Sequence, residues 1–163
     1  MKKNTASSGK VWLMDGFIHY ESQDYGACKV QVSTIKLVGE YTTDNGPGID
    51  DWFLVLMTAN DGWFEISMYA EGMQAMRNQV GQLLGADLDQ DLAHSTDFAS
   101  RIMWPSALKD QPMFSFTEEK RTGWERILHF GANQMLTSLS AQVLEYFASL
   151  PTKAETQTGG THG

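Results

Sequence analysis

Apolar and polar residues alternate with a period of two along several stretches of the first half of the chain, a pattern typical of half-buried β-strands. Residues 28–32 alternate cleanly, and residues 11–20 alternate less regularly around Asp15 and Gly16. An Asp-Gly pair suits the two-residue turn of a β-hairpin, but it also suits a bulge in one continuous strand. The pattern therefore leaves both interpretations of residues 11–20 open.

Three further strands are predicted in series, over residues 35–42, 51–58 and 63–69. The second is apolar on both sides, which is typical of a central strand, and the Asn-Asp-Gly sequence after it predicts a tight hairpin. Gly39 within the first strand predicts a bend or a close approach of another backbone. Strands that follow one another through short loops form an antiparallel meander.

Helical periodicity appears twice. Apolar residues three or four positions apart predict a helix within residues 70–84, which Gly85 ends. An apolar stripe near the C-terminus predicts a longer amphipathic helix over residues 135–150, which Pro151 ends. The stripe includes Met135, Leu139, Val143 and Phe147.

The segment between these helices is less distinct. Residues 98–104 suit a strand or a helix, and residues 113–116 predict one more short strand. The whole pattern predicts an α+β fold: an antiparallel meander sheet, as a barrel or a curved sheet, with one helix after the meander and a long C-terminal amphipathic helix. We expect a single domain over residues 11–150, between a disordered lead-in (1–10) and a disordered tail (151–163).

Charge narrows the range of partners. The chain has 163 residues and a formal net charge of −8, and residues 44–97 hold ten acids against one base, Arg77, a net of −9. A negative field repels nucleic-acid phosphates and anionic lipids, so we expect neither a nucleic-acid nor a membrane partner. A single cysteine, no apolar run of spanning length and no signal-peptide core predict a cytoplasmic protein.

Few residues suggest catalysis. Asp50 and Asp51 are neighbouring carboxylates before the most apolar strand, and paired carboxylates can act in acid–base catalysis. Neighbours in a strand point to opposite faces, however, so these two do not face each other. Capping a turn, or preventing another strand from pairing at this edge, explains them as well. The Asp87-x-Asp-x-Asp spacing resembles the start of a calcium loop without the glycine and glutamate that complete one. No histidine pair has metal-ligand spacing, and no nucleotide-binding motif is present. The sequence therefore predicts no catalytic residue, metal or cofactor.

One stretch resembles a group of small bacterial domains with a pleckstrin-homology-like fold. The resemblance covers about residues 32–72. The matching residues are Ile35, Val38, Tyr41, Asp50, Asp51, Trp52, Phe53, Leu54, Ile66, Glu71 and Gly72. The resemblance implies a sheet closed by a helix, a binding or scaffolding role and no catalytic residues. The basic loop that lipid headgroups require between early strands is missing, so phosphoinositide binding is not expected.

These observations predict a non-catalytic cytoplasmic binding or assembly module. Its partner is a protein, favoured to be basic, that binds the acidic face containing Asp50 and Asp51, or a second copy bound through the C-terminal helix residues Met135, Leu139, Val143 and Phe147. One alternative is an inhibitor or immunity-type protein whose acidic surface masks a basic toxin or nuclease. Another is a hydrolase that uses Asp50, Asp51 and a histidine brought near them by folding.

Overall fold

The computed structural model describes residues 8–44, 49–59, 62–92, 98–117 and 136–151. Within these ranges, helices and antiparallel strands combine into an α+β architecture, as predicted. None of the described helices is both long and apolar enough to cross a membrane. Three segments lie outside the described residues: residues 45–48 between the first two predicted meander strands, residues 60–61 at the predicted hairpin, and the predicted tail beyond residue 151.

The first sheet has three strands in sequential order. Strands β1 (Lys10–Met14), β2 (Phe17–Ser22) and β3 (Gly26–Gln31) pair antiparallel. Asp15 and Gly16 form the turn between β1 and β2, and both have positive φ, 52° and 78°. Positive φ at both central residues is what a tight hairpin turn with the twist of its strands requires. Residues 11–20 are therefore a hairpin rather than one bulged strand.

The second sheet contains the predicted meander. Strands β4 (Leu37–Thr42), β5 (Trp52–Met57) and β6 (Phe64–Ser67) pair antiparallel in series, and β7 (Ala99–Trp104) joins the other edge of β4. The ambiguous residues 98–104 thus contribute a strand. A Cβ atom at Gly39 would lie 1.6 Å from Cε of Met113 and 2.8 Å from the carbonyl oxygen of Arg101, so the predicted close approach is confirmed.

Helix α1 (Met73–Leu84) follows the meander, as the periodicity predicted. Met73, Met76 and Val80 are buried on its inner face. The backbone reverses at Gly85 in the left-handed conformation, with φ 67°, and the Gly85 N–H donates to the carbonyl of Gly81. This is the usual glycine end of a helix.

The prediction of one long helix over residues 135–150 is wrong. Residues Leu136–Leu139 form strand β9, which pairs antiparallel with β8 (Phe114–Thr117), and helix α2 covers only the nine residues Ala141–Ser149. The Ser140 hydroxyl accepts a hydrogen bond from the N–H of Val143, which is the bond of a helix N-cap. The apolar stripe continues from the strand into the helix because Leu139 of β9 and Val143 and Phe147 of α2 pack in the same part of the core.

The core has two parts, one on each side of the second sheet. All six residues of β5 are buried. Trp52, Leu54 and Leu56 belong to one part and Val55 and Met57 to the other, because strand side chains alternate in direction. The first part lies among the first sheet, the second sheet and α1, and the second part includes Val143 of α2. The described strands form three separate sheets and no closed barrel, so the barrel form of the predicted fold is wrong for this part of the chain.

Candidate functional site

Asp50 lies inside the protein and not on the acidic surface where the sequence placed it. Its side chain accepts hydrogen bonds from the hydroxyls of Ser8, at 3.0 Å, and Ser67, at 2.5 Å, and Asp50 is only 5% exposed. The Tyr20 hydroxyl in turn donates to the backbone carbonyl of Ser8. Because buried carboxylates require such partners, Asp50 fastens the segment before β5 to β6 and to the start of the first sheet.

Asp51 points elsewhere, as expected for the next residue along an extended chain. Its carboxylate accepts a hydrogen bond of 2.7 Å from the hydroxyl of Tyr69. His19 lies on the outer face of β2, where its ring stacks on Trp12 with centroids 5.2 Å apart. Tyr20, the neighbour of His19, points inward to the Asp50 cluster, so β2 separates His19 from Asp50. The other histidines lie outside the described residues.

Two tyrosines beside carboxylates have perturbed acidity. Burial raises the pKa of Tyr69 and of Tyr41 above the ordinary value of 10.0. Hydrogen bonds to Asp51 and Glu65, respectively, raise each pKa further, because an accepting carboxylate favours the protonated phenol and repels the phenolate.

These shifts predict a loss of stability at alkaline pH. In the unfolded chain the phenols release their protons from about pH 10, whereas in the folded protein they hold them to higher pH. Their contribution is therefore fully present below pH 10 and is lost as the pH rises through the folded-state pKa. Urea unfolding between about pH 8 and pH 11 should show this decline, and it should be shallower in a Tyr41→Phe/Tyr69→Phe variant. An equal decline in the two proteins would contradict the assignment.

Glu40 forms a second buried carboxylate cluster that the sequence did not reveal. It is fully buried, and it accepts hydrogen bonds from the indole N–H of Trp52, at 2.9 Å, and from Nε of Arg101, at 3.0 Å. Its Oε1 also accepts the backbone N–H of Asp91, and Arg101 donates to the backbone carbonyl of Asp89. The cluster therefore fixes the loop after α1 onto the second sheet.

Arg77 is a buried cation without a carboxylate partner among the described residues. It is 7% exposed, and its two terminal nitrogens donate to the carbonyl of Leu88, at 2.8 Å, and to the side-chain oxygen of Gln90, at 2.9 Å. Its Nε is buried with no acceptor in the described part of the chain. Burial lowers the pKa of Arg77, partly opposed by the more distant Glu40, Asp89 and Asp87.

A groove of about 740 Å³ lies beside the first half of α1, and we call it the α1 groove. Its apolar and backbone lining comes from Met68, Ala70, Gly72, Met73 and Ala75. Its polar lining comes from Gln74, Arg77, Asn78, Asp89 and Gln90. The groove is thus bordered by amides, one buried cation and one exposed carboxylate.

Exposed acids line the α1 groove or lie within two residues of its lining along the chain. Asp89 lies on its lining, Asp87 and Asp91 stand two residues to either side, and Glu71 precedes Gly72 of the lining. All four of these acids are exposed, whereas Arg77, the one base in residues 44–97, is buried. Lys10, an exposed base from outside that stretch, is joined to Glu71 by a backbone β-bridge, so the negative charge at this end of the protein belongs chiefly to Asp87, Asp89 and Asp91.

The outer face of the first sheet has a different character. Trp12 and His19 stack there with an interplanar angle of 5°, and Nζ of Lys10 lies 5.4 Å from the Trp12 ring. Nζ of Lys29 lies 4.5 Å from the ring of Phe17. Contacts of this kind, across strands for Trp12–His19 and Phe17–Lys29 and along β1 for Lys10–Trp12, stabilise a solvent-facing sheet, so the sheet itself explains them.

The C-terminal residues predicted to mediate assembly pack within their own chain. Val143 is fully buried in the second part of the core, and Leu139 and Phe147 pack partly buried against it. The Tyr146 hydroxyl donates to the backbone carbonyl of Lys36, which holds α2 onto the second sheet. Met135 lies outside the described residues.

Among the described residues, no three His, Cys, Asp or Glu side chains are grouped so that they could hold a metal ion. Comparison with protein-family models, with curated proteins and with solved structures found no match to this chain.

Proposed function

We propose that the protein is a non-catalytic binding module that receives a basic segment of a partner protein at the α1 groove. The observation that carries this proposal is the charge arrangement around the groove: Glu71, Asp87, Asp89 and Asp91 are exposed, whereas Arg77 is buried. A surface of one sign attracts a partner of the other sign and speeds their encounter.

The lining of the groove supports a peptide-like occupant. Met68 and Met73 offer apolar surface that adapts to different side chains. Gln74, Asn78 and Gln90 carry side-chain amides, each of which both donates and accepts hydrogen bonds, as a peptide backbone requires. Concave sites that combine apolar surface with a few polar groups are the usual places for ligands.

We call the loop that carries Asp87, Asp89 and Asp91 the rim of the α1 groove. Hydrogen bonds hold this rim in place, which favours binding. Glu40 accepts a hydrogen bond from the backbone N–H of Asp91, and Arg101 donates one to the backbone carbonyl of Asp89. These bonds fix the loop through its backbone and do not use the carboxylates of Asp89 and Asp91. A rim that is ordered before binding loses less conformational entropy when a partner arrives.

We expect a labelled nine-residue lysine peptide to bind the protein and to lose affinity when the rim charges are removed. The test variant is Asp87→Asn/Asp89→Asn/Asp91→Asn, which keeps side-chain size and the backbone contacts of the loop. At about 0.2–1 kcal/mol for each exposed charge pair, the triple variant should bind about 3- to 150-fold more weakly. Fluorescence anisotropy at low salt measures both affinities.

The matched control removes three exposed acids elsewhere, as Asp15→Asn/Asp24→Asn/Glu145→Gln. Both triple variants change the net charge equally, so a general charge effect weakens both to the same degree. The proposal requires a larger loss in the rim variant. Equal losses, or no binding by the unchanged protein, would contradict it.

The same charge arrangement supports the inhibitor or immunity-type alternative, in which the basic partner is a toxin or nuclease. Assembly of copies through α2 has less support, because Val143 is committed to the core of its own chain. Light scattering that finds a monomer would remove the assembly idea. A hydrolase at Asp50 and Asp51 also has less support, since serine and tyrosine hydroxyls hold these carboxylates.

A further inference from the structure

Strand β3 forms an open edge of the first sheet. It has β2 on one side, and none of the described strands pairs with its other side. Its six residues follow β2 without a bulge, and Ala27, Lys29 and Gln31 are exposed. We call the side of β3 that faces away from β2 the β3 edge.

The hydrogen bond that follows β3 shows which of its backbone groups lie at this edge. The N–H of Val32 donates to the carbonyl of Gly16, at 2.9 Å, so the even-numbered residues of β3 bond to β2. Because bonding alternates along an antiparallel pair, the N–H and C=O groups of Ala27, Lys29 and Gln31 point away from β2. Among the described residues, no hydrogen bond reaches these three N–H groups. Such a row of unpaired groups is a template for a further strand.

The chain covers two of its other sheet edges itself. Glu71 exchanges backbone hydrogen bonds with the start of β1. Backbone groups of Asp110 and Gln111 bond to Ile102 of β7 in the same way. The β3 edge has no such cover within the described part of the chain, so it is the edge that a strand from outside could join.

Lys29 determines which strand fits. It lies in the middle of the edge with its side chain on the outer face of the sheet, where Nζ is 4.5 Å from the Phe17 ring. In the described ranges, no carboxylate lies within ion-pair distance of this Nζ. Opposite charges on facing residues stabilise a pair of strands, and like charges destabilise it. A second copy centred on Lys29 would place two lysines opposite each other, which disfavours that occupant.

We propose that the β3 edge binds an extended segment of a partner protein, which adds a fourth, antiparallel strand to the first sheet and places a carboxylate side chain opposite Lys29. The residue that carries the carboxylate exchanges both of its backbone hydrogen bonds with Lys29. In strand addition, main-chain hydrogen bonds give the affinity and alternate side chains give the specificity. This interaction is separate from the α1 groove and does not depend on the function proposed there.

The test uses the peptide acetyl-Ser-Thr-Val-Glu-Val-Thr-Ser-amide, an alternating segment with one carboxylate. NMR titration of the isotope-labelled protein should shift the amide signals of β3 and slow hydrogen exchange at Ala27, Lys29 and Gln31. Replacing the central glutamate of the peptide with lysine should weaken binding about 2- to 30-fold, because an attractive pair becomes a repulsive one. Absence of any change in the β3 signals would overturn the proposal.

Methylation of single backbone nitrogens in the peptide provides the decisive comparison. The N–H of the central glutamate faces β3, so a methyl group there should weaken binding about tenfold by removing a hydrogen bond and holding the strands apart. The N–H of the valine before it faces away, so the same methyl group there should leave the affinity within about twofold. Equal effects at the two positions would overturn the strand pairing.

Lys29→Glu tests the charge selection. This variant should prefer the lysine-centred peptide to the glutamate-centred one, which reverses the order of the unchanged protein. Lys109→Glu makes the same charge change at an exposed residue outside the first sheet and should keep the original order. An unchanged order in Lys29→Glu would overturn the role assigned to Lys29.

Hydrogen exchange of the protein without peptide identifies any other occupant of the β3 edge. The N–H groups of Ala27, Lys29 and Gln31 should exchange rapidly, in contrast to those of Cys28 and Val30, which bond to β2. Slow exchange at every protein concentration would mean that another segment of the same chain covers the edge. Slow exchange only at high concentration would mean that a second copy does. Either result overturns the proposal.

Discussion

Replacing Arg101 with methionine should lower the free energy of unfolding by about 3–5 kcal/mol, the range measured when one partner of a buried ion pair is removed. Glu40 is fully buried, and Arg101 is the cation that contacts it, with 2.9 Å between its terminal nitrogen and Oε1. Methionine keeps most of the apolar stem of the arginine but leaves the carboxylate without compensation. Urea unfolding followed by tryptophan fluorescence measures the change.

Two comparisons make this result specific. Arg101 also contacts Asp110, whose side chain is 66% exposed, and Asp110→Asn should change stability by less than about 1 kcal/mol because exposed pairs contribute little. The double variant Glu40→Gln/Arg101→Met should recover part of the loss, since a neutral amide no longer requires a cation. A loss in Arg101→Met as small as that in Asp110→Asn would contradict the role assigned to the pair.

The same substitution should affect binding. Arg101 and Glu40 hold the backbone of Asp89 and Asp91, so loss of the pair loosens the rim of the α1 groove. The stability network and the proposed binding site are therefore connected through one short loop.

Gly72→Ala should destabilise the protein more than the same substitution at Gly85. Both glycines have left-handed backbone conformations, with φ 86° and 67°, which are unfavourable for alanine by about 1–2 kcal/mol. At Gly72, a Cβ atom would also lie 2.4 Å from the backbone carbonyl oxygen of Val11, whereas at Gly85 it would have, among the described residues, no atom within 4 Å beyond its own helix and chain neighbours. Forcing that contact apart adds about 1–3 kcal/mol.

The expected difference has a structural origin. Glu71 exchanges backbone hydrogen bonds with the start of β1, of 2.8 Å to the N–H of Val11 and 2.9 Å to the carbonyl of Gly9. Displacement of Gly72 would disturb this junction and the beginning of α1 together. Thermal unfolding of the two variants side by side measures the difference, and equal losses would show that the contact with Val11 is unimportant.

The meander and the first helix were predictable because their information is local. Apolar residues alternate along β4 to β6 and recur every three or four positions along α1. Each pattern indicates which face of its element is buried, without reference to the element that packs on that face. Gly85 supplied the matching end of the helix, whereas the Asp15-Gly16 pair left a hairpin and a bulge open until the structure showed the hairpin. The prediction of a long C-terminal helix was wrong because apolar residues at short spacing also suit a strand. Leu136–Leu139 form a strand because they pair with β8.

The candidate site was less predictable, for a different reason. Asp50 and Glu40 have the same chemistry as the exposed acids beside them, and nothing in the adjacent residues marks them as buried. Arg77 likewise counts in the sequence only as the one base of an acidic stretch. Each becomes distinct only through contacts with distant residues, such as Ser8 with Asp50 and Arg101 with Glu40.

The sequence by itself determined the α+β class, the meander, the first helix and the negative charge of residues 44–97, because periodicity and charge are properties of neighbouring residues. Only the tertiary structure decided which charges remain on the surface, since burial depends on packing between segments that are far apart in the chain. That packing removes Asp50, Glu40 and Arg77 from solvent and leaves Asp87, Asp89 and Asp91 exposed beside the α1 groove.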